Sequence, residues 1–169
     1  VIQGEKNLNQ VETFWDDNLC GHHFVEEEYL SPAFFQKYRT FRYKKTHHLN
    51  TYIHWEGAEG KDVLEIGLGI GSDGSRWSAN AQSYTGVDLT QEAVEATQKH
   101  LELLGLKGRV EQGNAEQLHL DNHQFDLVYS HGVIHHTPSI DNALAQINRV
   151  TRPNGELILM LYAKGSFNY

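Results

Sequence analysis

The sequence is poor in the residues that form covalent cross-links, metal cages and nucleic-acid contacts. A single cysteine, Cys20, excludes an intrachain disulfide framework and a multi-cysteine zinc cage. Lys and Arg total 14 against 22 Asp and Glu, and the formal charge of −8 with no basic run argues against nucleic-acid binding. No apolar run approaches the length of a membrane span and no signal peptide opens the chain, so we expect a cytoplasmic protein.

The chain does contain alternating strand and helix patterns. We predict strands at 63–66, 84–87, 109–112, 125–130 and 156–162, with 153–155 as a turn, and helices at 91–104 and 139–150. Thr90 is the expected cap of the first of these helices. The expected buried positions of the two helices are Val94, Thr97, Leu101 and Leu104, and Ile140, Leu144, Ile147 and Val150. Alternation of this kind predicts an α/β fold with a doubly wound, mostly parallel sheet flanked by helices.

A glycine-rich turn after the first strand is the feature around which the chain is organised. Gly67, Gly69 and Gly71 precede residues that can begin a helix. Parallel α/β sheets bind ligands outside the carboxyl ends of their strands, where glycine lets the backbone approach the ligand closely. Asp88 ends the second strand about 20 residues later, at a position where a carboxylate can accept hydrogen bonds from a ribose. Together these features predict a nucleoside cofactor.

The glycines can be read in two registers that favour different cofactors. Gly69, Gly71 and Gly74 fit the dinucleotide pattern G-x-G-x-x-G, although that pattern normally begins directly after the strand. Counted from the strand end, the turn is instead Glu65-x-Gly67-x-Gly69-x-Gly71. Glu65 suits a cationic, amine-bearing ligand better than a pyrophosphate, because like charges repel.

In this second register the segment 63–71, Val-Leu-Glu-Ile-Gly-x-Gly-x-Gly, resembles motif I of the class I S-adenosylmethionine-dependent methyltransferases. The resemblance runs from about Gly60 to Tyr162 and includes the segments 86–89, 113–116, 125–128, 135–136 and 149–155. These segments match the small-molecule branch (methyltransferase type 11) that includes quinone-biosynthesis enzymes. The resemblance implies a Rossmann-like methyltransferase sheet, S-adenosylmethionine as cofactor with S-adenosylhomocysteine as product, and a small-molecule methyl acceptor.

The resemblance also implies a set of cofactor-binding residues. Asp88 would bind the ribose, and the segment 113–116 would lie beside the adenine. Asn114 stands where the family usually has an aspartate, so we expect an altered contact with the adenine. The implied cofactor-binding residues are Glu65, Gly67, Gly69, Gly71, Asp88, Leu89, Asn114, Ala115, Glu116 and Ser130.

Three histidines follow the fourth strand and are candidates for proton transfer. Methyl transfer from a sulfonium is an in-line displacement that often requires removal of a proton, and histidine titrates near neutral pH. Among His131, His135 and His136, we expect His135 or His136 to line the acceptor pocket and act as the base. The alternative is a structural histidine bonded to the backbone. A zinc site on His131 and His135 is not expected, because Gly132 stands where a metalloprotease carries its glutamate.

Residues 1–57 predict a helical N-terminal cap, followed by a cofactor-binding domain at 58–169. A helix capped by Ser31 and begun by Pro32 would carry Phe34 and Phe35 inward and could continue through Tyr52. This cap would either pack on the sheet edge or cover the cofactor and select the substrate. In the second case, the expected substrate-side residues are Tyr38, Arg42, Tyr43 and Cys20.

The family's sheet has seven strands, so the resemblance implies that the last two are missing and that the domain is truncated. The fifth strand would then be an exposed apolar edge, which predicts a homo-oligomer or a fragment of a longer protein. Two functions besides methyl transfer remain open from the sequence: an NAD(P)-dependent oxidoreductase, and a non-catalytic cofactor-binding domain.

Overall fold

The computed structural model describes residues 7–17 and 25–163, and these form an α/β fold around one parallel sheet. The strands are β1 Asp62–Ile66, β2 Ser83–Asp88, β3 Arg109–Gln112, β4 Phe125–His131 and β5 Thr151–Met160. The helices are α1 Leu8–Asp17, α2 Pro32–Lys45, α3 Leu49–Tyr52, α4 Ser72–Asn80, α5 Gln91–Leu103 and α6 Ile140–Val150. Two 3-10 helices cover Trp55–Ala58 and Ile134–His136.

The strand order β3-β2-β1-β4-β5 places β1 at the centre, and all four neighbouring pairs are parallel. The predicted doubly wound α/β sheet is therefore confirmed. The chain winds from β1 through β2 to β3 on one side and then crosses to β4 on the other. A crevice forms at the carboxyl ends of the strands where the winding direction changes, which in this sheet is between β1 and β4.

Alternate residues of β1 and β4 point to opposite faces of the sheet and build two hydrophobic clusters. Leu64 and Val128 pack on one face with Ala143, Ile147 and Val150 of α6. Val63, Leu127 and Tyr129 pack on the other face with Trp55 and with Trp77 of α4. Both faces are apolar because helices cover both sides of a parallel sheet, and this double cover fixes the strand ends that form the crevice.

Side-chain caps fix the starts of three helices. The hydroxyls of Ser31, Thr90 and Ser139 accept hydrogen bonds from backbone N–H groups three residues further along, as their residue types favour. The predicted caps at Ser31 and Thr90 are confirmed.

Two predicted core positions are wrong, and one predicted helix is shorter than expected. Leu104 is 47% exposed as the C-cap of α5, and Ile140 is 37% exposed as the first residue of α6. The helix that begins at Pro32 ends at Lys45, and Tyr52 of the separate helix α3 is largely exposed.

The last strand begins earlier than the sequence predicts. Residues 153–155, predicted as a turn, lie inside β5 as a local irregularity, where Phe125 pairs with Thr151 but Leu127 pairs with Glu156. Asn154 adopts φ +65 there. Among the described residues β5 pairs with β4 alone, so its other side is an edge of the sheet there, and Leu157 on this strand is 42% exposed.

The N-terminal helices pack near the carboxyl ends of the strands. Phe34, Phe35 and Tyr38 of α2 form a buried cluster with Leu68 and Ile70 of the glycine-rich turn and with Ala93 and Ala96 of α5. The first helix also contacts α5. The division of the chain at residue 57 into cap and domain stays a prediction.

Candidate cofactor and active site

The glycine-rich turn leaves β1 at the crevice and is held there by the neighbouring strand. The N–H of Gly67 donates to the carbonyl of Val87 at 2.8 Å, and the N–H of Leu68 donates to Oδ2 of Asp88 at 2.7 Å. Gly67 has φ +86, and a methyl group at its Cα would overlap the side chain of Val133 in the loop after β4. The absence of a side chain therefore lets the two loops that border the crevice meet.

Asp88 organises the end of β2. Its Oδ1 accepts hydrogen bonds from both the N–H and the hydroxyl of Thr90, each at 3.0 Å, while Oδ2 accepts from Leu68. Burial raises the pKa of Asp88, and these donors oppose that rise. The carboxylate thus fixes the glycine-rich turn to the start of α5 and also lines the cavity described next.

A cavity opens to solvent at these strand ends. Ten of the residues predicted from the sequence line it: Tyr38, Arg42, Glu65, Gly67, Gly69, Asp88, Leu89, Asn114, Ala115 and His136. Five others do not: Tyr43, Gly71, Glu116, Ser130 and His135. Cys20 lies outside the described residues.

The predicted residues that are absent from the wall have structural contacts. Ser130 is fully buried, and its hydroxyl donates to the carbonyl of Ile66 at 3.0 Å, which joins β4 to β1. The carboxylate of Glu116 accepts from the N–H of Ser139 at 3.0 Å and so supports the start of α6. The backbone N–H of Glu116 donates to Oδ1 of Asn114 at 2.9 Å. An adenine amino group that bound Asn114 would therefore have to share this oxygen.

The histidines after β4 differ in position. His136 lines the cavity, with the ring of Trp15 from α1 edge-on at 5.1 Å. His135 is buried beside it, with its ring 4.1 Å from that of His136 and 4.4 Å from that of Tyr162. Residues 131 and 135 therefore do not share a helical face, because the backbone between them turns at Gly132 and enters a 3-10 helix.

Asp73, in the first turn of α4, is the centre of a buried polar cluster that the sequence did not predict. It is 3% exposed and forms a bidentate ion pair with Arg42 of α2, in which Arg42 Nε lies 3.0 Å from Oδ1. The hydroxyls of Tyr43 and Tyr129 also donate to its carboxylate, at 2.9 and 2.8 Å. Burial alone would raise the pKa of Asp73, but the charge of Arg42 and these hydrogen bonds hold it below its usual value.

Glu65 is buried close to Asp73 and behaves in the opposite way. Burial and the neighbouring Asp73 hold the pKa of Glu65 well above its usual value, although the hydroxyl of Tyr84 donates to it at 2.6 Å. Its surroundings thus shift Glu65 towards the uncharged acid, which weakens the predicted attraction of this side chain for a cation. A methyl group at Gly74 would overlap the Tyr84 hydroxyl and lie 2.8 Å from Oε2 of Glu65, so this glycine is required for packing whichever cofactor binds.

Two buried polar atoms on cavity-lining residues have no hydrogen-bond partner within the described ranges. One is the hydroxyl of Ser72, the first residue of α4, and the other is Nε2 of His131. Burial and, next, the charge of Arg42 lower the pKa of His131 to about 4, so its imidazole is neutral at neutral pH. The ring of His131 stacks on those of Tyr129 and His48, with centroids 6.3 and 5.8 Å away.

The described part of the chain shows neither a membrane-spanning helix nor a metal cluster. None of its helices is both long and apolar enough to cross a bilayer. Groups of three or more His, Cys, Asp or Glu side chains arranged to hold a metal ion are also absent from residues 7–17 and 25–163.

Comparison with known proteins identifies several methyltransferases with a similar sequence. A phthiotriol/phenolphthiotriol dimycocerosates methyltransferase of Mycobacterium leprae is 35% identical over 115 residues, which are 65% of this chain and 42% of the relative. A fatty-acid O-methyltransferase of Mycolicibacterium smegmatis is 33% identical over 99 residues, 57% of this chain and 35% of the relative. The chain thus spans about two fifths of the length of these curated relatives.

A solved structure and a family model agree with these relatives. The crystal structure of the YcgJ protein from Bacillus subtilis is 29% identical and superposes with a TM-score of 0.61, covering 66% of this chain and 49% of YcgJ. The model of the family described as "Methyltransferase domain" matches residues 64–159, from β1 into β5. Because this match covers more than half of the sequence, the chain belongs to the methyltransferase domain family of class I S-adenosylmethionine-dependent methyltransferases.

Proposed function

We propose that this chain binds S-adenosylmethionine and transfers its methyl group to a small-molecule acceptor by in-line displacement. The observation that carries the proposal is the joint position of the glycine-rich turn and Asp88. Both border one cavity at the crevice of the sheet, where the Asp88 carboxylate is fixed by the backbone of the turn itself. A pre-organised acidic group beside an open backbone turn suits the ribose of a nucleoside.

The remaining cavity residues fit the rest of this cofactor. Leu89, Asn114 and Ala115 form the wall beside Asp88 and would hold the adenine. The unpartnered hydroxyl of Ser72 stands at the N-terminus of α4, where the helix dipole favours a carboxylate, and would bind the amino-acid end. When bound, the cofactor supplies an electrophilic methyl group.

The residues of the chain itself would orient the acceptor and exclude water. Trp15 of α1 contacts the ring of His136 edge-on, and Leu8, Val11 and Trp15 of this helix line the cavity. Apolar walls raise the effective strength of the polar contacts between them. Of the two histidines predicted as bases, His136 lines the cavity and keeps that proposed role, whereas His135 is buried beside it and is not part of the wall.

Calorimetric titration with S-adenosylhomocysteine tests the proposal, with NADH as the parallel ligand. We expect the wild-type chain to bind S-adenosylhomocysteine and not NADH. The Asp88→Asn variant keeps the shape of the side chain but loses its charge, so its affinity should fall about 10- to 100-fold, as expected for lost charge-assisted hydrogen bonds. Glu95→Gln, on the exposed face of α5, is the matched control and should bind like wild type.

Two results of this titration would contradict the proposal. Binding of NADH alone would favour the oxidoreductase, and equal binding of S-adenosylhomocysteine by wild type and Asp88→Asn would remove the ribose role of Asp88. Thermal unfolding of each variant must accompany the titration, because Asp88 also holds the backbone of Leu68.

We also propose that two copies of the chain associate through the exposed edge of β5. An apolar edge strand offers unpaired backbone groups to a second strand, and Leu157 adds exposed apolar surface there. Sedimentation over a range of concentrations should show a dimer that Leu157→Lys weakens. Leu103→Lys, at an equally exposed leucine of α5, should leave it unchanged. A monomer at every concentration would refute this association.

A further inference from the structure

The part of the cavity left for the acceptor is built from α1, α2 and the loop after β4. Once the turn, Asp88 and the segment 113–115 are assigned to the cofactor, the remaining polar or aromatic residues of the wall include Trp15, Tyr38, Arg42, His131 and His136. The apolar residues of this remaining part of the wall include Leu8, Val11 and Val133. This surface therefore determines which acceptors can bind.

The carboxylates near this surface are already engaged. Asp73 is neutralised by Arg42 and accepts two tyrosine hydroxyls, while Glu65 accepts the hydroxyl of Tyr84 in surroundings that favour its uncharged form. A protonated amine would therefore have to compete with Arg42 and the tyrosine hydroxyls for these two carboxylates, and a buried charge that fails to find a partner is strongly unfavourable.

The cation near this surface is engaged as well. The guanidinium of Arg42 is paired with Asp73 through two of its nitrogens. Drawing it away to bind an acceptor carboxylate would leave Asp73 buried and without its ion-pair partner, which costs about as much as the new pair would gain. The geometry disfavours carboxylate acceptors for this reason.

Of the polar residues on this surface, His131 has a buried polar atom without a hydrogen-bond partner in the part of the chain that the structure describes. It ends β4, next to Ser130, whose hydroxyl bond to the carbonyl of Ile66 fixes the strand end beside the glycine-rich turn. Its Nε2 atom is buried and has no partner within the described ranges, so it is under-satisfied unless a ligand contacts it. A neutral imidazole nitrogen can accept a hydrogen bond from a hydroxyl group.

We propose that the acceptor is a hydroxyl group on an uncharged, mainly apolar molecule, and that this hydroxyl donates its hydrogen bond to Nε2 of His131. The inference rests on the proposed methyltransferase function. The hydroxyl oxygen forms the new O–C bond with one of its lone pairs, and the electron pair of the breaking C–S bond stays on sulfur. Nε2 of His131 holds the hydroxyl in place, and once the O–C bond has formed the proton leaves the oxygen by way of the proposed base His136 to water at the mouth of the cavity.

Three probes of equal chain length test the acceptor class: 4-octylphenol, 4-octylbenzoate and 4-octylbenzylamine. Each is titrated by calorimetry into the full chain saturated with S-adenosylhomocysteine, so that binding is measured separately from turnover. We expect 4-octylphenol to bind at least about tenfold more tightly than the other two, because it alone offers an uncharged hydroxyl. With S-adenosylmethionine, only the phenol should yield a methylated product.

Three substitutions test the role of His131. His131→Phe keeps the stacking on Tyr129 but removes Nε2 and should weaken 4-octylphenol binding about tenfold, the usual worth of one hydrogen bond. His131→Gln places an amide oxygen near the position of Nε2 and should restore most of that binding. His119→Phe, at an exposed histidine outside the cavity, is the control. S-adenosylhomocysteine affinity should stay within about twofold in all three variants.

The outcomes separate this inference from the function on which it rests. If S-adenosylhomocysteine does not bind to wild type, the proposed function is refuted, and the acceptor assignment with it. If it binds but the amine or the carboxylate matches the phenol, or no probe binds, the acceptor assignment alone is wrong. Equal phenol binding by wild type and His131→Phe would remove His131 from the acceptor site.

Discussion

Replacement of Arg42 by methionine should lower the stability of the fold by weakening the attachment of α2 to α4. Arg42 is the cation that joins α2 to the first turn of α4, and Met retains the apolar stem of the side chain without its charge. The carboxylate of Asp73, only 3% exposed, would then be left buried without an ion-pair partner.

The expected cost follows from the remaining partners of Asp73. Removing one member of a buried ion pair costs about 3–5 kcal/mol. Because the hydroxyls of Tyr43 and Tyr129 still donate to the carboxylate, we expect the lower end of this range, about 3 kcal/mol. For a chain of 169 residues this corresponds to a fall in Tm of about 6–12 °C.

Urea unfolding followed by tryptophan fluorescence measures this change. Arg39→Met, at an exposed position on the same helix, is the matched control and should cost less than about 1 kcal/mol. The double variant Arg42→Met/Asp73→Asn should be more stable than the sum of the two single losses, with a coupling of about 2–3 kcal/mol. Equal stability of the Arg42 and Arg39 variants, or strict additivity in the cycle, would refute the role of this ion pair.

Three further predictions concern the turn, a helix cap and pH. Gly67→Ala should lower S-adenosylhomocysteine affinity at least about tenfold in calorimetry, because the new methyl overlaps Val133 and φ is +86, whereas Gly57→Ala, with no atom within 4 Å, should not. Glu116→Gln should cost about 1 kcal/mol in urea unfolding but leave ligand affinity unchanged, because its carboxylate supports α6 outside the cavity. The pKa of His131 is about 4 in the folded chain, below its ordinary value of 6.5. Between about pH 4 and 6.5 the imidazole therefore binds a proton more readily in the unfolded chain than in the folded chain. Stability should therefore fall as pH drops from about 6.5 to 4, by on the order of 2 kcal/mol after allowance for solvent screening, and His131→Phe should lose this part of the slope. Each prediction has a result that would contradict it. These results are wild-type S-adenosylhomocysteine affinity in Gly67→Ala, a loss of stability well above about 1 kcal/mol in Glu116→Gln, and the same dependence of stability on pH in His131→Phe as in wild type.

The elements that depend on local sequence could be predicted. The strands contain continuous apolar residues, and the caps at Ser31 and Thr90 act within three residues of themselves. The turn predicted at 153–155 follows the same local logic: these residues have no partner in the ladder with β4, and Asn154 has φ +65, although the strand continues on both sides of them.

The cofactor side of the cavity was also accessible, because its residues lie in short contiguous motifs. The pairing of Arg42 with Asp73 was not, since it joins residues 31 positions apart with no spacing pattern to mark it. Tyr43 was expected on the substrate side for its residue type alone, yet its hydroxyl is turned to Asp73. Which histidine after β4 enters the cavity depends on the positive φ of Gly132, which the sequence does not reveal.

The position of β1 at the centre of the sheet has a consequence for how the chain folds. Its partner β2 follows closely, but its pairing with β4 joins Val63 to Leu127, 64 residues further along the chain. During synthesis, one edge of the central strand must therefore stay unpaired until β4 has been made. Long-range parallel pairing of this kind slows folding and prolongs the exposure of apolar edges, so folding should be rate-limited by the arrival of β4.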